Sequence, residues 1–132
     1  AIEIISEALT KEKITNDIIS GEVTPKKRTG IFSAFQDKPD PKVLIIQPQA
    51  AAHGVTLTAA DTIIWYGPPL SLETYLQANA RAHRKGQKNP LTIINLEGSY
   101  EESKVYAALM KKQNIHEQIV ELFKEKVDKV NN

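Results

Sequence analysis

Gln77, Arg81 and Arg84 stand four and then three residues apart in a segment, 77–88, that holds four cations and no acid. At helical spacing these three side chains share one face. Two guanidiniums fixed on one rigid face form a fork for phosphate oxygens, which planar donors grip better than a lysine point charge does. Arg84 also falls where a helix ending near Lys85 would favour a cation. A solvated basic helix end therefore accounts for the same residues equally well.

Two further segments have the composition of binding loops. Gln47-Pro48-Gln49 opens a stretch that runs through three alanines to His53, Gly54 and Thr56, directly after an apolar run. In open α/β sheets, ligands bind beyond the carboxyl ends of strands. The alanines and Gly54 admit a close backbone or nucleotide, and Gln47, His53 and Thr56 offer hydrogen-bonding groups; a plain strand-to-helix connection is the alternative. Ser20-Gly21-Glu22-Val23-Thr24 also follows a strand and opens a helix. Its N–H groups could hold a phosphate beside Lys26, Lys27 and Arg28, or Thr24 could simply cap the helix.

Other chemistries are missing from the sequence. No glycine is followed by lysine, so there is no P-loop, and neither Gly-x-Ser-x-Gly nor His-Glu-x-x-His occurs. His53, His83 and His116 lack metal-ligand spacing, and no metal site is expected. The chain has no Cys, which excludes disulfides and thiolate chemistry. Trp65 and Tyr66 fall in a strand and read as core rather than base-stacking groups.

The elements that must carry these residues alternate between helical and extended patterns, which predicts an α/β domain with a parallel sheet. An amphipathic helix over 2–10 precedes a short strand over 17–20. Thr24-Pro25 starts a helix with its buried face at Ile31, Phe32 and Phe35, and Gly30 within it marks a tight contact or costs about 1 kcal/mol against Ala. Runs over 42–46 and 62–66 read as central strands covered on both faces, and 91–96 as another apolar strand. Ser71 caps a helix running to about Lys85, with Gly86 as its stop. Ser99 with Glu102, and Asn114 with Glu117, form two capping boxes that start two closing helices within 99–130.

With 132 residues, 41% hydrophobic and 25% charged, the chain fits one globular domain over 1–132. No apolar run approaches the roughly 18 residues of a membrane span, and no signal peptide opens the chain, so a cytoplasmic setting without membrane partners is expected. A net charge of +1 leaves attraction to polyanions to local clusters.

The segment Gln77-x-x-x-Arg81-x-x-Arg84-x-Gly86-Gln87 resembles motif VI of the Swi/Snf-like branch of superfamily-two helicases. Gln47 to Asp61, ending Gly54-Val-Thr-Leu-Thr-Ala-Ala-Asp61, resembles motif V, and Ile19 to Thr24 with Arg28 and Phe35 resembles motif IVa. Glu101-Glu102 and Lys111-Lys112-Gln113 match the helix after the last strand. The resemblance spans nearly the whole chain and implies the C-terminal RecA-like lobe: a three-layer P-loop-NTPase-type domain, a parallel central sheet flanked by helices, its first strand lying before Ala1.

That resemblance implies half of a DNA-dependent ATPase, a helicase or double-strand translocase. Arg84 and Arg81 would be arginine fingers, Gln77, Gly54 and Thr56 would face ATP, and Ser20, Gly21, Thr24, Gln47, Pro48 and Gln49 would hold the DNA backbone. ATP and Mg²⁺ would serve the intact enzyme, with Mg²⁺ held by an N-terminal RecA-like lobe of the same polypeptide; the isolated chain would be inactive. Gln47-Pro48 stands where the motif normally begins with Ser or Thr, and Ala51-Ala52 replaces a glycine pair. Leu70-Ser71-Leu72 in place of the remodellers' Trp-Asn-Pro points toward a phage or prophage type, hence a bacterial or phage-infected cell. A non-catalytic nucleic-acid-binding module of the same fold, or a small-ligand regulatory domain, is the alternative.

Overall fold

A computed structural model describes residues 2–51, 55–69, 71–84 and 87–131. In chain order the elements are α1 (Ile2–Lys11), β1 (Asn16–Ile19), α2 (Pro25–Asp37), β2 (Val43–Ile46), a 3-10 turn (Pro48–Ala51), β3 (Thr62–Trp65), α3 (Leu72–Asn79), β4 (Thr92–Asn95) and α4 (Tyr100–Asn131). Contacts divide the chain into two compact units, Ala1–Ile63 with Glu73–Ile94, and Ile64–Leu72 with Asn95–Asn132.

In the first unit, β1 and β2 pair in parallel from Asn16↔Val43 to Ile19↔Ile46. Both strands are β-branched and apolar toward their ends, and Ile19 is fully buried. The Thr24 hydroxyl accepts from the Lys27 N–H at 3.3 Å and Pro25 fills the first helical position, so α2 starts where its capping chemistry directs. Ile31, Phe32 and Phe35 are half-buried. A Cβ at Gly30 would meet nothing within 4 Å, so Gly30 marks no tight contact.

The strands β3 and β4 form a second two-stranded sheet. Its bonds advance in step, Thr92 N–H to Asp61 O and Leu96 N–H to Trp65 O, both 2.9 Å, as parallel strands require. The parallel α/β class is thus present, carried by two strand pairs. β3 and β4 are not covered on both faces: Ile64, Ile93 and Ile94 are exposed, and so is Tyr66, whereas Trp65 is buried.

In the second unit, Trp65, Tyr106 and Leu109 are buried, and the Tyr106 hydroxyl donates to the Trp65 carbonyl at 3.3 Å. Ser99 caps α4, its hydroxyl accepting from the Glu102 N–H, while the Glu102 carboxylate reaches back to the Gly98 N–H at 2.7 Å. The second expected cap is absent. Asn114 lies inside one continuous helix, because nothing in Met110–Ile115 breaks the backbone and a mid-helix Asn costs under about 1 kcal/mol. Among the apolar positions along 105–127, Leu109 is buried, whereas Val105, Ile115, Ile119, Leu122, Phe123 and Val127 are exposed.

Candidate functional site

The parallel register sets the carboxyl ends of β1 and β2 side by side, so the loops that follow them are neighbours. The Gln47 N–H continues the ladder onto Ile19 O at 3.0 Å, and its side-chain Oε1 accepts from the Gly21 N–H at 3.2 Å. Two loops nominated separately from sequence are therefore one edge. Arg28 draws the first loop shut, with Nε on Val23 O (3.0 Å) and Nη2 on Ser20 O (2.9 Å). Gly21, Thr24, Gln47 and Gln49 remain exposed there, with Lys26 and Lys27 exposed on the first turn of α2; Ser20 and Pro48 are half-buried. The Gly21 N–H and the Thr24 hydroxyl already have protein partners.

The basic segment takes a different geometry from the single helical face expected. The helix α3 ends at Asn79, not near Lys85. Beyond it the regular ladder is lost: Arg81 N–H donates to Ala78 O and Ala82 N–H to Asn79 O, both 3.2 Å and three back, and Arg84 N–H to Ala82 O at 3.1 Å, two back. This turn is tied to a distant segment, with Arg81 O accepting from the Leu57 N–H at 2.7 Å. Arg81 and Arg84 therefore lie on a turn, and Gln77 alone of the three is helical. The Gln77 amide donates to the Glu73 carboxylate at 3.1 Å, and Arg81 Nε donates to Gln77 O at 3.2 Å.

Arg84 is half-buried rather than free in solvent. Its Nε donates to Ala80 O and its Nη1 to the Thr56 hydroxyl, both at 3.1 Å. The structure thus joins two nominated residues, Thr56 and Arg84. The remaining guanidinium donors suit an anion better than a second amide or hydroxyl. Gly54 and His53, as well as Gly86, lie outside the described residues.

The segment 57–61 is held from two sides by side chains to which the sequence assigned no role. From α2, Gln36 donates to the Thr58 hydroxyl (2.8 Å) and accepts from the Ala59 N–H (3.0 Å). Gln87 Nε2 donates to Ala60 O at 2.6 Å and to Ala82 O at 3.2 Å.

The family described as Helicase conserved C-terminal domain matches residues 1–86. The chain belongs to that family. It is 32% identical over 114 residues, 85% of its length, to the chromatin-remodeling ATPase INO80 of Aspergillus clavatus. Against the chromatin-remodeling ATPase INO80 of Kluyveromyces lactis it is 32% identical over 95 residues. The chain spans only 7% and 6% of the length of those two relatives. The crystal structure of the C-terminal part of the Fun30 ATPase domain superposes with a TM-score of 0.74, covering 80% of this chain and 34% of that one at 22% identity.

The fold is accordingly the RecA-like α/β fold of a helicase C-terminal domain. These INO80 relatives are fungal. They give no support to the phage or prophage affinity, or the bacterial setting, expected from Leu70-Ser71-Leu72. No helix among the described residues is long and apolar enough to cross a membrane.

Proposed function

We propose that this helicase C-terminal domain works as the second lobe of an ATP-dependent DNA translocase, closing on an N-terminal RecA-like lobe of the same polypeptide. The observation that carries the reading is the Arg84–Thr56 pair: a half-buried guanidinium held by neutral acceptors, beside Arg81, on a turn locked to the segment that follows β2. A half-buried cation with no carboxylate partner among the described residues keeps its affinity for an incoming anion. When bound, ATP supplies the phosphoryl group that is transferred to water, with Mg²⁺ assigned to carboxylates of the first lobe.

In this reading Arg84 and Arg81 direct guanidinium N–H groups at the phosphate oxygens where charge develops, as arginine fingers. Thr56 orients Arg84, and Gln77 fixes the approach of Arg81 through its carbonyl. Gly54 is assigned close backbone approach to the nucleotide. The joined edge of Ser20, Gly21, Thr24, Gln47, Pro48 and Gln49, with Lys26 and Lys27, contacts the phosphates of DNA and reads no bases. The INO80 relatives, named as chromatin-remodeling ATPases, support an ATP-driven role.

The test is DNA-stimulated ATP turnover by a polypeptide joining this chain to its N-terminal lobe, with Arg84 altered. Turnover that collapses supports the reading. A protein that binds DNA with no Arg84-dependent turnover is instead a non-catalytic nucleic-acid-binding module.

A further inference from the structure

The geometry points to Gln87 as a positioning residue that sets the reach of Arg84, an inference that rests on the finger role proposed for Arg84. Gln87 is half-buried and closes the segment that resembles motif VI. Its carboxamide donates two hydrogen bonds to carbonyls from separate segments, Ala60 O at 2.6 Å and Ala82 O at 3.2 Å. Its own backbone N–H donates to Arg84 O at 3.1 Å. One residue therefore holds the start of the Ala82–Arg84 turn by its side chain and the end of it by its main chain.

The consequence is geometric. Thr56 Oγ1 and Arg84 Nη1 are 3.1 Å apart, and they belong to the two segments that the Gln87 amide joins. Leu57 N–H to Arg81 O at 2.7 Å is the parallel backbone link. Gln36 secures the Thr58–Ala59 side from α2, so the 57–60 segment has little freedom of its own. Removing the Gln87 donor leaves the Ala82–Arg84 turn tied to the 56–60 segment by the Leu57–Arg81 backbone bond and by the Arg84–Thr56 contact itself, and an arginine finger loses rate steeply when its head moves by about 1 Å. Gln87 needs no contact with nucleotide to act. Only a donor of this length serves: Glu in its place sets a carboxylate against two carbonyl oxygens, and Asn falls one methylene short.

The test has two arms. In the 132-residue chain, amide hydrogen exchange is compared at Leu57, bonded to Arg81, and at Gln47, bonded to Ile19 in the β1–β2 ladder. Gln87→Glu is expected to speed exchange at Leu57 by about tenfold or more and leave Gln47 unchanged, with Gln87→Asn in between. In the two-lobed polypeptide, Gln87→Glu is expected to lower kcat about tenfold or more, with KM for ATP within about threefold. That loss vanishes when the residual single-turnover rate is measured in an Arg84→Ala background, because Gln87 acts through Arg84. Additive losses, or equal acceleration of exchange at Leu57 and Gln47, overturn the positioning role. A silent Gln87→Glu beside a crippled Arg84→Ala overturns it while leaving the finger reading standing; an Arg84→Ala protein of normal rate overturns the finger reading itself.

Discussion

Arg84 Nη1 donates to Thr56 Oγ1 at 3.1 Å, joining the basic turn to the segment after β2 across 28 residues of sequence. The hydroxyl and the Ala80 carbonyl, which accepts from Nε, hold two of the guanidinium's donors and leave the rest for a partner. Hydrogen bonds to a charged group contribute more than neutral ones, about 1.5–3 kcal/mol. Thr56→Val is therefore expected to lower kcat of the two-lobed enzyme by about tenfold, with Thr56→Ser restoring most of it. Steady-state kinetics check this. A rise in KM with kcat unchanged would assign the hydroxyl to nucleotide binding instead.

The joined loop edge predicts a particular mode of DNA binding. With a net charge of +1 and exposed Lys26 and Lys27, the lobe alone should bind duplex weakly and without base preference. Anisotropy titrations are expected to show affinity falling by about tenfold or more between about 50 and about 200 mM salt. Replacing both lysines by Ala should weaken binding equally on every sequence. A strong base preference, or indifference to salt, would remove the phosphate-contact account.

Gly30 sits within α2, exposed, with open space where a Cβ would be. Gly30→Ala is expected to stabilise the chain by about 0.5–1 kcal/mol through helix propensity. Urea denaturation should show a higher midpoint at an unchanged slope. A destabilised variant would mean that a contact outside α2's own surroundings uses that glycine.

The isolated chain is expected to show no ATP turnover, since no glycine in it is followed by a P-loop lysine. A coupled assay on the purified 132-residue protein checks this; turnover that survives Arg84→Ala would contradict it.

The parts legible in the sequence are those set by local chemistry. Thr24 and Ser99 cap where their hydroxyls can accept an amide three residues on, and the apolar runs at 43–46 and 62–65 each form a strand, the first paired with β1 and the second with β4. The end of α3 at Asn79 was not legible, and neither was the bond from the Leu57 N–H to Arg81 O, which joins the turn beyond it to a distant segment that no local signal announces. Helical spacing therefore placed Gln77, Arg81 and Arg84 on a face that does not form. Asn114 carried a cap signature that a continuing helix overrode. Gln36, Gln47 and Gln87 stitch the loops with carboxamides, and a glutamine's spacing carries no trace of which carbonyl or amide it will meet.

The central claim is that Arg84 stabilises charge on the phosphoryl group in transfer, and the most direct measurement is kcat of the two-lobed enzyme carrying Arg84→Ala. The expected result is a fall of about 10³-fold or more, with a far smaller change in ATP affinity, because the contact strengthens in the transition state. Arg84→Lys should recover little, since a point charge does not reproduce the planar fork. Lys88→Ala, exposed in the same basic cluster, should turn over at the parent rate. A normal rate for Arg84→Ala, or equal damage from Lys88→Ala, would contradict the account and leave the cluster a general electrostatic feature.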